Sequence, residues 1–131
     1  MPAKILIADD HASVRRGIRA LLEKDGEYTV CCEAQDGLEA VRMAKRCRHD
    51  LIIIDLLMPN LNGFHAAKEI RTSVPGVPIV LHTLYGGTAV EHEAKKFGVD
   101  VVVTKVGSRS LKKVIEQILR AEKADAPTTA A

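Results

Sequence analysis

An α/β domain, built on a parallel sheet of five strands with helices on both faces, is the fold class this sequence predicts. Three observations carry the prediction. Short apolar runs alternate with longer amphipathic stretches, the pattern of repeated βα units. Most of these runs are continuous in Val, Ile and Leu, as in strands covered on both faces. Polar residues then stand where the runs end: Asp9 and Asp10, Asp55, Thr83 and Lys105.

The elements follow in order. A strand over 4–8 leads into a helix carrying Val14, Ile18, Leu21 and Leu22 on one face. A strand over 28–34 precedes Asp36, whose side chain is placed to cap a helix with Gly37, Ala40, Val41 and Ala44 aligned. The third unit is a strand over 51–54 and a helix with Phe64, Ala67 and Ile70. The fourth is a strand over 77–82 and a helix with Val90, Ala94 and Phe97. A strand over 99–104, Ser108 as the expected cap, and a helix with Leu111, Val114, Ile115, Ile118 and Leu119 complete the domain. Periodicity fades from Lys123, so residues 1–122 are read as the domain and 123–131 as a flexible tail or linker stump.

Composition bounds the function. The 131 residues hold one domain, and 47% hydrophobic with 27% charged residues argue against disorder over its body. No run approaches the roughly 18 to 20 apolar residues that cross a bilayer, so a cytoplasmic location without a membrane partner is expected. A net charge of +2, with two Tyr, two Phe and no Trp, argues against direct nucleic-acid binding. Cys31 and Cys32 are neighbours on a strand, where side chains alternate, and Cys47 lies near a helix end. Reduced, structural thiols are expected. Arg15, Arg16 and Arg19 form a basic patch on the first helix, read as a docking face or a solvated one. His11 is placed at the first helix's start, and His82 is read as structural.

In an open parallel sheet the carboxyl ends of the strands form the ligand crevice, so the polar strand-end residues converge there. Asp9, Asp10 and Asp55 repel one another without a cation, and a hard divalent ion such as Mg²⁺ lets all three stay ionised. With Lys105 the charges balance, and an incoming phosphoryl group would meet the metal, the ammonium and the Thr83 hydroxyl. Asp55, alone at its strand end, is the expected phosphoryl acceptor.

The run ending Ala8-Asp9-Asp10-His11, the loop from Asp55 through Pro59 to Gly63, Thr83 and Lys105 together resemble the receiver domain of two-component response regulators, over residues 4 to about 120. The opening motif and Arg15-Arg16-Gly17-Ile18 are most similar to nitrate-response-type receivers, which usually carry a downstream DNA-binding domain. The resemblance implies a flavodoxin-like sheet of strand order 2-1-3-4-5 with five helices. It implies Mg²⁺ held by Asp10, Asp55 and the backbone carbonyl of Leu57, with Asp9 acting through a metal-bound water. It further implies phosphorylation of Asp55 by a histidine kinase or histidine phosphotransfer protein, movement of Thr83, pairing of Lys105 with the phosphoryl group, and a changed face on the fourth helix, fifth strand and fifth helix. A homodimer is compatible with it.

The chain departs from this family at four places. Val106 follows Lys105 where a proline is usual, so a trans peptide is expected, with Gly107 taking up slack. Val102 replaces an aromatic residue that swings inward on activation. Leu84 and Tyr85 narrow the approach to Asp55, and Leu57 offers no polar tip to orient a water, so slow hydrolysis of the phosphorylated form is expected. These departures motivate an alternative, a receiver-like interaction module with weak or no phosphorylation. An aspartate-nucleophile phosphatase is disfavoured because Leu57 supplies no acid, and a flavin carrier because no Gly/Ser/Thr-rich loop follows the first strand.

Overall fold

The computed structural model describes residues 2–106 and 110–125. Five βα units run in sequence: β1 (Ala3–Ala8), α1 (Ala12–Glu23), β2 (Tyr28–Ala34), α2 (Gly37–Arg46), β3 (Leu51–Ile54), α3 (Gly63–Ser73), β4 (Ile79–Thr83), α4 (Thr88–Lys96), β5 (Val101–Thr104) and α5 (Leu111–Asp125). The strands form one sheet in the order β2-β1-β3-β4-β5, and each adjacent pair is parallel. This is the doubly wound arrangement expected. Among the described residues no helix is long and apolar enough to cross a membrane.

Alternation along the strands divides the core in two. Leu6, Ile52, Ile54 and Leu81 face α2, α3 and α4, where Ala40, Val41, Ala44, Ala66, Ala67, Ile70 and Ala94 are buried. Ile5, Ile7, Leu51, Ile53 and Val80 face α1 and α5, where Ile18, Leu22, Leu111, Val114 and Ile115 close the other side. The α2 and α3 faces are rich in Ala, which lets those helices lie close to the sheet; α1 and α5 fill their layer with larger side chains.

Several boundaries differ from expectation. β4 begins at Ile79, because Pro78 lacks an N–H and its carbonyl accepts from Ile52 N at 3.0 Å. β5 begins at Val101, since Val99 N still bonds Ala94 O at the end of α4. Asp36 caps α2 as expected, accepting from Glu39 N at 2.8 Å. The Ser108 cap and the slack at Gly107 lie outside the described residues; α5 starts after Ser110, whose hydroxyl oxygen accepts from Lys113 N at 3.4 Å. α5 runs to Asp125, so residues 123–125, read from sequence as tail, are helical, and 126–131 lie outside the described residues. The Lys105–Val106 peptide is trans, as expected.

The cysteine expectation is corrected. Cys32 and Cys47 are joined by a disulfide, leaving Cys31 as the free thiol. Alternation fails at this point because β2 bulges: Ile5 pairs with Val30 and Leu6 with Cys32, so Cys31 is an extra residue. Both cysteines then pack against the same side of the core, towards α2.

Candidate functional site

Strand pairing brings the expected residues together. β1 and β3 pair up to Ala8 and Ile54, and Asp55 N donates to Ala8 O at 2.9 Å, so Asp9 and Asp55 leave the sheet side by side. On the far side of β3, Lys105 N donates to Thr83 O at 2.7 Å. The Lys105 side chain reaches back across the sheet's end: its Nζ lies 2.7 Å from Asp9 Oδ2 and 3.1 Å from Asp55 Oδ2. Asp9, Asp55 and Thr83 are the buried polar residues among those described.

The loop after Asp55 is shaped by specific contacts. Gly63 sits against the backbone of Asp55 and Leu56, where a Cβ would collide with the Asp55 carbonyl, and Gly63 N donates to Leu56 O at 2.7 Å. Asn60 adopts φ 70° and its amide donates to Asp36 Oδ2 at 2.9 Å, tying the loop to the start of α2. Asn62 caps α3 by accepting from His65 N. Leu57 lies two residues past Asp55 with an exposed side chain. Thr83 Oγ1 accepts from Tyr85 N at 3.2 Å, while Leu84, Tyr85 and Val106 are exposed around the mouth.

Electrostatics follow from this packing. Burial pushes the Asp55 carboxyl above its ordinary value, against the pull of Lys105 and with a further push from Asp9. Burial works to lower the Lys105 ammonium, but its bonds to Asp9 and Asp55 prevail and hold it above the usual lysine value. The His82 imidazole is pushed down to about 4 by burial, with Lys105 adding to the effect.

The structure adds two residues that sequence reasoning placed elsewhere. His11 Nδ1 is 3.3 Å from Asp9 Oδ1 and 3.1 Å from Asp10 Oδ1, so it belongs to the cluster instead of serving only the start of α1. Arg15 is largely buried: Nη1 donates to Asp9 O at 2.7 Å and Nε to Glu33 at 2.9 Å. Arg19 also pairs with Glu33, at 2.5 Å. Arg15 and Arg19 are therefore partly neutralised, and the solvated-patch reading fails for Arg15. The available signal was Glu33, the one charged residue of β2.

One oxygen or nitrogen from each of Asp9, Asp10, His11 and Asp55 lies within 4.8 Å of the others. Atoms around an ion at about 2.1 Å stand no more than about 4.2 Å apart, so small shifts of these side chains suffice to enclose one. Three carboxylates, of which Asp9 and Asp55 share the Lys105 ammonium, fit a hard divalent cation, which would complete their neutralisation.

The fold and the site define a class: doubly wound α/β domains that gather carboxylates and a lysine at the carboxyl edge of the sheet. A family model, the response regulator receiver domain, matches residues 5–119, and the chain belongs to that family. Among curated proteins it is 42% identical over 82 residues to the transcriptional regulatory protein YdfI of Bacillus subtilis, covering 63% of this chain and 38% of that protein. It is 34% identical to the response regulator protein VraR of Staphylococcus saprophyticus, covering 84% of this chain and 53% of that one. The chain thus spans about half or less of these relatives' lengths. A two-component response regulator of the LuxR family from Aurantimonas superposes with a TM-score of 0.87 at 34% identity, over 92% of this chain and 87% of that one.

Proposed function

We propose that the chain is a phosphorylation-controlled receiver in which Asp55 takes a phosphoryl group from a histidine kinase or histidine phosphotransfer protein. The observation that carries this reading is Lys105 Nζ bridging Asp9 and Asp55, which lie 96 and 50 residues before it in the chain. A buried group of two carboxylates and one ammonium is an expensive way to hold a fold that apolar residues at all three positions would hold at lower desolvation cost. Its place beside the acceptor suits it to follow negative charge arriving on Asp55.

Asp10, Asp55 and the Leu57 carbonyl would hold Mg²⁺, with Asp9 acting at one remove; bound there, the ion supplies charge neutralisation for the phosphoryl oxygens. An Asp55 carboxylate oxygen attacks phosphorus, the bond from phosphorus to the donor's imidazole nitrogen breaks, and its electron pair stays on the imidazole. Thr83 and Lys105 then take hydrogen-bonding positions towards the new phosphoryl oxygens, and α4, β5 and α5 carry the change to an output partner or a second copy of the chain. Its chemistry is confined to itself: phosphoryl uptake and slow self-hydrolysis. Residues 1–122 serve as the receiver unit, working in the cytoplasm.

Incubation with Mg²⁺ and a small phosphodonor, read by intact mass, is expected to add one phosphoryl group that Asp55→Asn abolishes. The adduct is expected to outlast minutes, because Leu57 has no polar tip to align water and Tyr85 stands on the approach; decay within seconds contradicts that point. A second reading, an interaction module that has left phosphorylation, is favoured by exposed Leu84, Tyr85 and Val106 around the mouth and by Val102 in the aromatic position. No mass gain from any donor, with the fold intact, would establish it over the first.

A further inference from the structure

The cysteines stand outside the phosphoryl chemistry and call for their own account. Cys32 lies on β2, the edge strand, and Cys47 immediately follows α2, its N–H donating to Met43 O at 2.8 Å. Their sulfurs are bonded across 15 residues of sequence, with Cα atoms 7.1 Å apart. Cys31 is excluded from the pair: it is the bulge residue, its thiol donates to Ile5 O at 3.5 Å, and burial pushes that thiol up.

A domain of this size with two filled core layers does not need a covalent staple, which small domains with thin cores require. The fold therefore does not rest on this bond. Both cysteines are half-buried, and Lys45, Arg46 and Arg48, next to Cys47 in sequence, are exposed cations that attract anionic thiol compounds. What the bond holds is also defined. The buried contacts of α2 on the sheet are small, Gly37, Ala40, Val41 and Ala44, so the bond adds a covalent tie to a last turn otherwise held by Ala44, Met43 and the contact of His49 Nε2 with Ala44 O at 2.9 Å.

We propose that Cys32 and Cys47 are a reversible dithiol–disulfide modification site, oxidised by small-molecule disulfides of the glutathione class, whose closure clamps the end of α2 to the edge of the sheet. The Cys47 thiolate attacks one sulfur of the small disulfide, breaking its S–S bond and expelling one small thiolate. The Cys32 thiolate then attacks Cys47 Sγ in the mixed disulfide, forming the internal bond and expelling the second. Two electrons pass from the cysteine pair to the small disulfide, and the two cysteine protons leave on the small thiols. Nothing in this depends on Asp55.

The test uses the full chain, exposed to glutathione disulfide and then to excess reduced glutathione, with free thiols alkylated after denaturation and mapped by peptide mass. Alkylation at Cys31 alone is expected after oxidation, and at all three cysteines after reduction. Cys32→Ser is expected to accumulate a glutathione adduct at Cys47. Amide hydrogen exchange over residues 43–47 is expected to be at least tenfold slower in the linked form. Three free thiols after oxidation, a bond that includes Cys31, a bond that reduced glutathione leaves closed, no adduct in the serine variant, or equal exchange in the two forms would each overturn the proposal.

Discussion

Two clusters of charge sit at opposite ends of β4 and β5, and they are built on opposite terms. Near the start of these strands, the Arg71 guanidinium donates to the carbonyls of Pro75, Val77 and Gly98 and to the Asp100 carboxylate, which also accepts from Ile79 N. Gly98, at φ 88°, leaves room for the arginine stem. Every charge there meets an opposite charge or a dipole. At the other end, Asp9 and Asp55 share one ammonium, Asp10 lies beside them against His11, and Asp55 is held above its ordinary pKa because burial outweighs what Lys105 returns. A saturated cluster is a fastener. An under-compensated one leaves negative charge that a cation could neutralise, the feature that marks it as a candidate functional site.

The contrast can be broken by substitution. Arg71→Ala leaves three carbonyls and a carboxylate without their donor, and a loss of about 3 kcal/mol in urea unfolding is expected. A loss below about 1 kcal/mol would erase the distinction between the clusters. His82 supplies the next largest effect. Its folded pKa of about 4 lies below the ordinary 6.5, so the unfolded chain takes up the proton first. The stability it contributes is whole above pH 6.5 and is lost as pH falls towards 4, by about 2 kcal/mol after allowance for solvent at the ring. His82→Leu is expected to flatten that part of the pH–stability curve.

The acidic cluster itself gives smaller shifts of opposite sign. Mg²⁺ at ten times its dissociation constant is expected to raise unfolding stability by about 1.4 kcal/mol, with Asp10→Asn removing the gain. Without metal, Asp55→Asn is expected to stabilise the fold by about 1 kcal/mol, because it deletes a carboxylate whose ionisation burial opposes. Destabilisation by that variant in metal-free buffer would show the second cluster to be as well compensated as the first.

Much of this was legible in the sequence because one rule generates it: continuous apolar runs become central parallel strands, and the residue following each run must surface at the same edge. That rule places Asp9, Asp55, Thr83 and Lys105 without reference to any contact. What it cannot convey depends on pairing. The bulge at Cys31 arises between β1 and β2, and it turns an alternation argument against a disulfide into the wrong expectation. The same limit explains Arg15, whose helical position says surface while its partner Glu33 lies 18 residues away on β2. His11 shows the reverse: its neighbours in sequence are its neighbours in space, but helix-start chemistry is the commoner use of that place.

The reach of Lys105 has a consequence for the order of assembly. It closes on Asp9 across 96 residues and on Asp55 across 50, so it is the last component to arrive as the polypeptide is made. A partly synthesised chain that has reached β4 carries the acidic residues with no lysine to quiet their repulsion. The acidic edge of the sheet is therefore balanced only once β5 has been made and has paired with β4.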